Sequence, residues 1–109
     1  MKKIEEKNFL ITALGILYSL KERVVTINES EQYLFCPRVV MKLKEKSCNK
    51  DIVNLVECGC ELEDIKSLLP EKYDYELDQL IKRVLEQLKL YKIDEKKEFN
   101  TEHNINWYE

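Results

Sequence analysis

The chain has 109 residues, of which 44% are apolar and 36% are charged, so we expect one domain with a modest core. Its two glycines and two prolines are too few for the many turns of an all-β fold, and they favour long helices with short joints. The net charge of −3 argues against a general nucleic-acid binder, because such proteins normally have a basic surface.

Residues 9–20, with the sequence FLITALGILYSL, form the most apolar stretch of the chain. A helix of this composition is apolar on nearly every face, which is typical of a buried central helix. At ~18 Å it is too short to cross the ~30 Å apolar core of a bilayer. No small-residue cleavage site follows, which disfavours a secretory signal. We therefore predict a central helix from about Lys3 to Arg23.

Two short helices are predicted next. Thr26 and Glu29 have the spacing of a capping box, so a second helix is expected from about Ile27 to Phe35. Pro37 suits the first turn of a third helix that ends near Glu45, because the missing N–H of proline loses no hydrogen bond there.

The fourth and fifth helices are predicted from caps and breakers. Asn49 is a plausible cap for the fourth helix, and Gly59 is expected to supply the residue just past its end. The fifth helix is expected to end at Pro70. Its inward-facing residues are predicted to be Leu62, Ile65, Leu68 and Leu69.

The last helix has the clearest amphipathic pattern, with Asp74 as its expected cap. We expect it to pack on the first helix through Leu77, Leu80, Ile81, Val84, Leu85 and Leu88. The predicted fold is therefore all-α: a compact bundle of five to six helices around a buried N-terminal helix, spanning residues 1–92.

Residues 93–109 are predicted to form a separate C-terminal tail. Phe99, Ile105, Trp107 and Tyr108 are too apolar for a solvated tail, and the alternation around Ile105 and Trp107 allows an extended segment. The aromatic side chains either cover the edge of the core or contact a partner, since Trp and Tyr are frequent in interface hot spots.

Four cysteines without a signal peptide indicate reduced thiols in the cytoplasm. A metal site from Cys48, Cys58, Cys60 and His103 would have enough ligands, but its spacing is not that of known zinc sites. The cysteines, with Cys36 as the fourth, are more simply explained as small buried apolar residues. We predict neither a metal nor a cofactor.

The sequence offers little support for catalysis or for DNA binding. The only histidine lies in the tail, and no phosphate-binding, nucleophile-elbow or metalloprotease motif occurs, so no enzyme activity is expected. A helix-turn-helix regulator is a second class to consider, because the second and third helices are short. Acidic residues interrupt its candidate basic face, which comprises Arg38, Lys42, Lys44 and Lys46.

Negative charge is concentrated in one segment. Residues 57–78 contain eight Asp or Glu and two Lys, whereas residues 1–56 contain ten Lys or Arg and seven Asp or Glu. The segment could attract a basic partner by electrostatic steering. The alternative is that these acids only solvate helix ends.

Three stretches resemble a small bacterial family of unknown function. They are Gly15–Leu20 (GILYSL), Ile27–Phe35 (INESEQYLF) and Glu61–Pro70 (ELEDIKSLLP). The resemblance covers roughly residues 10–90 and implies a nearly all-helical single domain. Members of such families are often placed among immunity proteins of polymorphic or contact-dependent inhibition toxins. No catalytic or metal-binding residue is implied by the resemblance.

The resemblance implies an immunity protein that binds a cognate secreted toxin domain 1:1 in the cytoplasm, with no membrane or nucleic-acid partner. The toxin would be a nuclease whose active site is covered by acidic residues, with aromatic residues as anchors. A generic protein-interaction or scaffold domain is the alternative. The predicted partner-binding residues are Glu57, Glu61, Glu63, Asp64, Glu71, Tyr73, Asp74, Tyr75, Asp78 and Trp107.

Overall fold

The computed structural model describes residues 1–92, which are all-α as predicted and include no strand. Four helices longer than seven residues form the body of the fold, and the other two have seven residues each. The predicted number of five to six helices in the bundle is therefore slightly too high. The predicted tail, including Trp107 and a possible extended segment, lies outside the described residues. The helices are α1 (Lys3–Lys21), α2 (Ile27–Tyr33), α3 (Pro37–Glu45), α4 (Lys50–Cys60), α5 (Leu62–Leu68) and α6 (Pro70–Lys89).

The predicted helix starts at Thr26, Pro37 and Asn49 are confirmed. The Thr26 Oγ1 accepts a hydrogen bond from the Glu29 N–H at 3.1 Å, and the Glu29 carboxylate accepts one from the Thr26 N–H at 3.1 Å. The Asn49 Oδ1 accepts from the Asp51 N–H at 2.8 Å. These bonds satisfy N–H groups that the first turn of a helix leaves without partners. Pro37 is the first residue of α3.

The prediction that α1 is buried on nearly every face is wrong. One face is buried, through Leu10, Ala13, Leu17 and Leu20. On another face, Ile4, Ile11 and Tyr18 are 52%, 45% and 54% exposed. Helix α1 packs mainly on α6, so it lies at the surface of a small bundle rather than at its centre. No helix within residues 1–92 is long and apolar enough to cross a membrane.

The packing of α6 against α1 is confirmed, but two details of α5 and α6 differ from the prediction. Pro70 is the first residue of α6, so Asp74 lies inside this helix and does not cap it. Leu77, Leu80 and Val84 are buried as expected, whereas Leu85 is 43% exposed. In and after α5, only Leu62 is buried. Leu68 and Leu69 are exposed because the chain reverses there into α6.

Gly59 does not follow the end of α4, as predicted, but lies within the helix. It has no positive φ angle, so conformational freedom is not the reason for glycine. Its missing side chain instead makes room for Phe35, because a Cβ at this position would overlap three ring carbons. The close approach brings the chain between α2 and α3 onto α4, where Phe35 is 2% exposed.

A buried carboxylate joins three parts of the fold. Glu6 of α1 is 7% exposed, and its two oxygens accept hydrogen bonds from the Asn49 N–H at 2.7 Å and the Tyr91 hydroxyl at 3.0 Å. Burial, together with the hydrogen bond to Glu6, raises the pKa of Tyr91. The three residues tie the start of α1 to the cap of α4 and to the chain following α6.

Because Cys48 is buried beside Glu6, we predict that the folded chain loses stability at alkaline pH. Burial, followed by the nearby Glu6 charge, raises the pKa of the Cys48 thiol from 9.0 to about 11. The unfolded chain therefore loses this proton at lower pH than the folded chain does. The contribution to stability is complete below pH 9 and is lost as the pH rises through 11.

Chemical denaturation of the wild type and of Cys48→Ala across this pH range measures the effect. The free energy of unfolding is expected to fall less steeply with pH in Cys48→Ala, because the variant lacks the shifted thiol. Equal slopes for the two proteins would contradict a role for Cys48.

Candidate partner-binding surface

The joint between α4 and α5 brings four of the predicted acidic residues together. Helix α4 ends at Cys60 and α5 begins at Leu62, with only Glu61 between them. The backbone angles of Glu61 are φ −85° and ψ −9°. The joint between the two helices is therefore a single residue. All four acidic side chains are exposed, and we call them the junction acids: Glu57, Glu61, Glu63 and Asp64.

Glu31 of α2 adds a fifth acidic residue that the sequence analysis did not select. A hydrogen bond with Glu63 raises the pKa of Glu31, and the charges of Glu63 and Asp64 raise it further. Glu63 and Asp64 of α5 therefore lie near Glu31 of α2. No sequence pattern links α2 with α5, so this proximity is visible only in the folded chain.

Little positive charge offsets the junction acids. Lys44 Nζ is 3.9 Å from Glu57 Oε2, which is a long contact between two exposed side chains. Such a contact contributes little, since exposed ion pairs are worth about 0–1 kcal/mol. Within residues 1–92, Glu61, Glu63 and Asp64 form no ion pair. The joint thus presents negative charge that is free to meet a basic partner.

The remaining predicted acids, Glu71, Asp74 and Asp78, form a second group on α6. Asp78 Oδ1 is 2.9 Å from Lys21 Nζ of α1, and this contact raises the pKa of Lys21. The ion pair is partly exposed and helps to align α1 with α6. Glu63 and Asp64 therefore lie near Glu31 of α2, whereas Asp74 and Asp78 lie near Lys21 of α1.

The two predicted tyrosine anchors differ in their surroundings. Tyr73 is half-buried beside a cavity of about 350 Å³, and burial raises its pKa. Lys66 Nζ lies 5.3 Å from the centre of its ring, within the range of a cation–π contact. Tyr75 is 63% exposed and is available to a partner, whereas Trp107 lies outside the described residues.

The alternative basic surface is on α3. Arg38, Lys42, Lys44 and Lys46 are all exposed, as a recognition helix would require. Lys44 lies near Glu57, so negative charge borders this face at α4. That arrangement weakens the attraction for phosphate on which non-specific DNA binding depends. Nucleic-acid binding remains a prediction without further support.

No group of three or more His, Cys, Asp or Glu within residues 1–92 is placed to hold a metal ion. The four cysteines are free thiols, of which Cys48 is buried and the others are partly buried. Burial, together with the neighbouring Cys36 and acidic residues, raises the pKa of Cys60 to about 11. His103, the fourth predicted ligand, lies outside the described residues.

The family described as "Protein of unknown function (DUF3969)" matches the chain over residues 1–109. Neither the curated proteins nor the solved structures include a match to the chain.

Proposed function

Because the chain belongs to the DUF3969 family, whose description assigns no activity, we propose its function from its surface: it is an immunity protein that neutralises a cognate secreted toxin domain. The observation that carries the proposal is the set of junction acids, joined by Glu31 and lacking ion pairs at Glu61, Glu63 and Asp64. The resemblance of Glu61–Pro70 to a family grouped with immunity proteins supports the same function.

The physical basis is substitution of carboxylates for phosphates. A toxin that cuts nucleic acid must hold a polyanion in a basic cleft, and exposed carboxylates can occupy the same cleft. The junction acids lie on or beside a one-residue joint between two helices, so the loss of backbone entropy on binding is small. Ordering their exposed side chains costs about 0.5–1.5 kcal/mol each. The charges accelerate association, while packed aromatic side chains slow dissociation.

The partner in this proposal is one toxin domain per chain, bound in the cytoplasm of the producing cell. Binding alone protects the cell, so the protein needs no enzyme activity, metal or cofactor. The junction acids enter the toxin's cleft first. The other proposed contact residues are Glu71, Tyr73, Asp74, Tyr75, Asp78 and Trp107.

Co-expression with a toxin domain tests the proposal directly. The toxin to use is the C-terminal domain of whichever large secreted protein is encoded immediately upstream of this chain. We expect the two to co-purify at equal stoichiometry and the chain to restore growth when the toxin domain is induced. A chain that neither binds nor restores growth would overturn the proposal.

Charge reversal locates the interface within that complex. Replacing Glu61, Glu63 and Asp64 together by lysine is expected to weaken toxin binding by roughly 10- to 100-fold, because interfacial charge pairs become repulsive. Most of the change should appear in the association rate and should shrink at high salt. Surface plasmon resonance at two salt concentrations measures both effects.

A matched control changes the same net charge elsewhere. Lysine substitutions at Glu45, Asp51 and Glu86 alter three other exposed acids and should leave toxin affinity within about threefold of the wild type. If both triple variants bind equally well, the junction acids are not the interface.

The exposed apolar face of α1 favours a second candidate, a scaffold domain whose partner is not a toxin. Such a domain would use Ile4, Ile11 and Tyr18 rather than the junction acids. The same co-expression experiment separates the two, because a scaffold domain would not restore growth.

A further inference from the structure

A stripe of residues on α1 has no partner within the described chain. Ile4, Ile11 and Tyr18 recur every seven residues, and each is about half exposed. Gly15 lies on the same side of the helix, and a Cβ there would meet nothing within 4 Å. Leu85 of α6, 43% exposed, lines the adjoining groove. We call Ile4, Ile11, Gly15 and Tyr18 the α1 stripe.

A seven-residue apolar repeat is the pattern that pairs one helix with another. Residues seven apart return to nearly the same side of a helix, so the stripe is almost parallel to the helix axis. Glycine in an exposed helix interior costs about 1 kcal/mol relative to alanine. A Cβ at Gly15 would meet nothing within 4 Å, so close packing within the described chain does not require glycine there, and its absence leaves space for an approaching side chain.

The charges beside the stripe differ between its two ends. Near Ile4, a groove of about 440 Å³ between α1 and α6 is lined by four lysines and by Glu86. Near Tyr18, Glu22, Asp74 and Asp78 are offset by Lys21, Arg23 and Lys66, and Asp78 is paired with Lys21, so that end is close to neutral. The lysines at the Ile4 end are Lys7, Lys82, Lys89 and Lys92.

We propose that the α1 stripe binds the α1 stripe of a second copy of this chain, in an antiparallel dimer whose two-fold axis passes beside Ile11. The stripe is symmetric about that residue, since Ile4 and Tyr18 are each seven positions away. An antiparallel pair therefore sets Ile11 against Ile11 of the second copy, and Ile4 against Tyr18 of the second copy. Such an interface is isologous: the same surface serves both copies.

The charges also favour the antiparallel arrangement. It places the lysine-lined end of each copy beside the nearly neutral end of the other, and it lays the Lys7 stem over Gly15 of the second copy. Lysine covers apolar surface well with its methylene groups while its charge stays in water. A parallel arrangement would set the lysines of the two copies against each other.

The available surface is small for a dimer interface, so we expect weak and reversible association. Helices α1 and α6 are ~28–30 Å long at helical rise and pack ~8–10 Å apart, so together they present on the order of 500 Å² in projection. Stable interfaces bury about 800 Å² of accessible surface per partner, so this face lies towards the low end of interface sizes. We expect a dissociation constant in the micromolar range (~1–100 μM).

Sedimentation equilibrium on the full chain, from about 1 μM to about 1 mM, tests the proposal. The wild type is expected to change from monomer to dimer across this range. Ile11→Glu places two like charges face to face at the axis and should weaken dimerisation at least ~30-fold. Met41→Glu is the matched control, because Met41 is also an exposed apolar residue, at 62%, but lies on α3. It should dimerise like the wild type.

A covalent test does not depend on weakening the dimer. With a mild oxidant, Ile11→Cys is expected to form a disulfide with the same residue of a second copy, whereas Met41→Cys should not exceed the wild-type background. A wild type that stays monomeric at about 1 mM, or equal behaviour of the Ile11 and Met41 variants, would overturn the proposal. These experiments need no toxin, so their outcome is independent of the proposed immunity function.

Discussion

Replacing Gly59 with alanine is expected to lower the free energy of unfolding by about 3 kcal/mol, at the upper end of the usual range for overpacking. A Cβ at this position would lie 2.7 Å from Cε1 and 2.9 Å from Cγ of Phe35, with Cδ1 closer still. Phe35 is 2% exposed, so its ring has no free space to enter. Either the ring or α4 must therefore move. Urea denaturation measures the change.

Gly15→Ala is the matched control, because it makes the same chemical change in the interior of another helix. Its Cβ would meet nothing within 4 Å, so the better helix propensity of alanine should stabilise the chain by about 0.5–1 kcal/mol. Combining Gly59→Ala with Phe35→Leu should recover part of the loss, since the smaller side chain removes the overlap. If Gly59→Ala is as stable as the wild type, the close packing of α4 on Phe35 is not a constraint.

The helix boundaries that depend on local chemistry were predictable from sequence. A capping hydroxyl, an asparagine or a proline acts on N–H groups within three residues, so Thr26, Asn49 and Pro37 identify the starts of α2, α4 and α3 without knowledge of the fold. The pairing of α6 with α1 was also predictable, because each carries a long apolar face that must be covered.

The burial of α1 was not predictable in the same way. Composition shows that Ile4, Ile11 and Tyr18 are apolar, but it does not show how many neighbours are available to cover them. The described chain has only one other helix of comparable length, α6, and a bundle of this size cannot surround α1. Ile4, Ile11 and Tyr18 recur every seven residues, which places them on one side of the helix, and that side is the exposed one.

The other features of the candidate site that the sequence did not reveal depend on contacts between residues far apart in the chain. Glu31 belongs with Glu63 only because α2 packs near α5, and the ion pair of Asp78 with Lys21 depends on the docking of α6. Gly59 has the residue type of a helix terminator, and only the position of Phe35 shows that it serves close packing instead.

Glu6 is a similar case, although a sequence signal existed. An acidic residue in the first turns of a helix is normally explained by the helix dipole, so a buried role was not considered. Yet Glu6 precedes Leu10, Ala13 and Leu17 by four, seven and eleven positions, which places it on the same buried face. A carboxylate that continues an apolar face has to find donors inside the protein, and Glu6 does so.

Glu6→Ala is expected to cost about 4 kcal/mol of stability, more than any other single change considered, because it removes the acceptor of two hydrogen bonds and leaves a cavity where the buried side chain was. The Asn49 N–H and the Tyr91 hydroxyl would both lose their partner. Glu6→Gln keeps one carbonyl oxygen for Asn49 but turns an N–H₂ group towards Tyr91, so its cost should be about 2 kcal/mol. Urea denaturation of the two variants gives the ranking.

Tyr91→Phe completes a double-mutant cycle with Glu6→Ala. Alone it removes one hydrogen bond and should cost about 1 kcal/mol. In the double variant the hydroxyl is no longer left without an acceptor, so the two losses should combine to less than their sum by about 1 kcal/mol. Strict additivity, or a Glu6→Ala variant as stable as the wild type, would show that the bond from Tyr91 to Glu6 does not hold the end of α6 on α1. If the coupling is found, Tyr91 fixes the end of α6 beside the lysine-lined groove, where the proposed dimer forms.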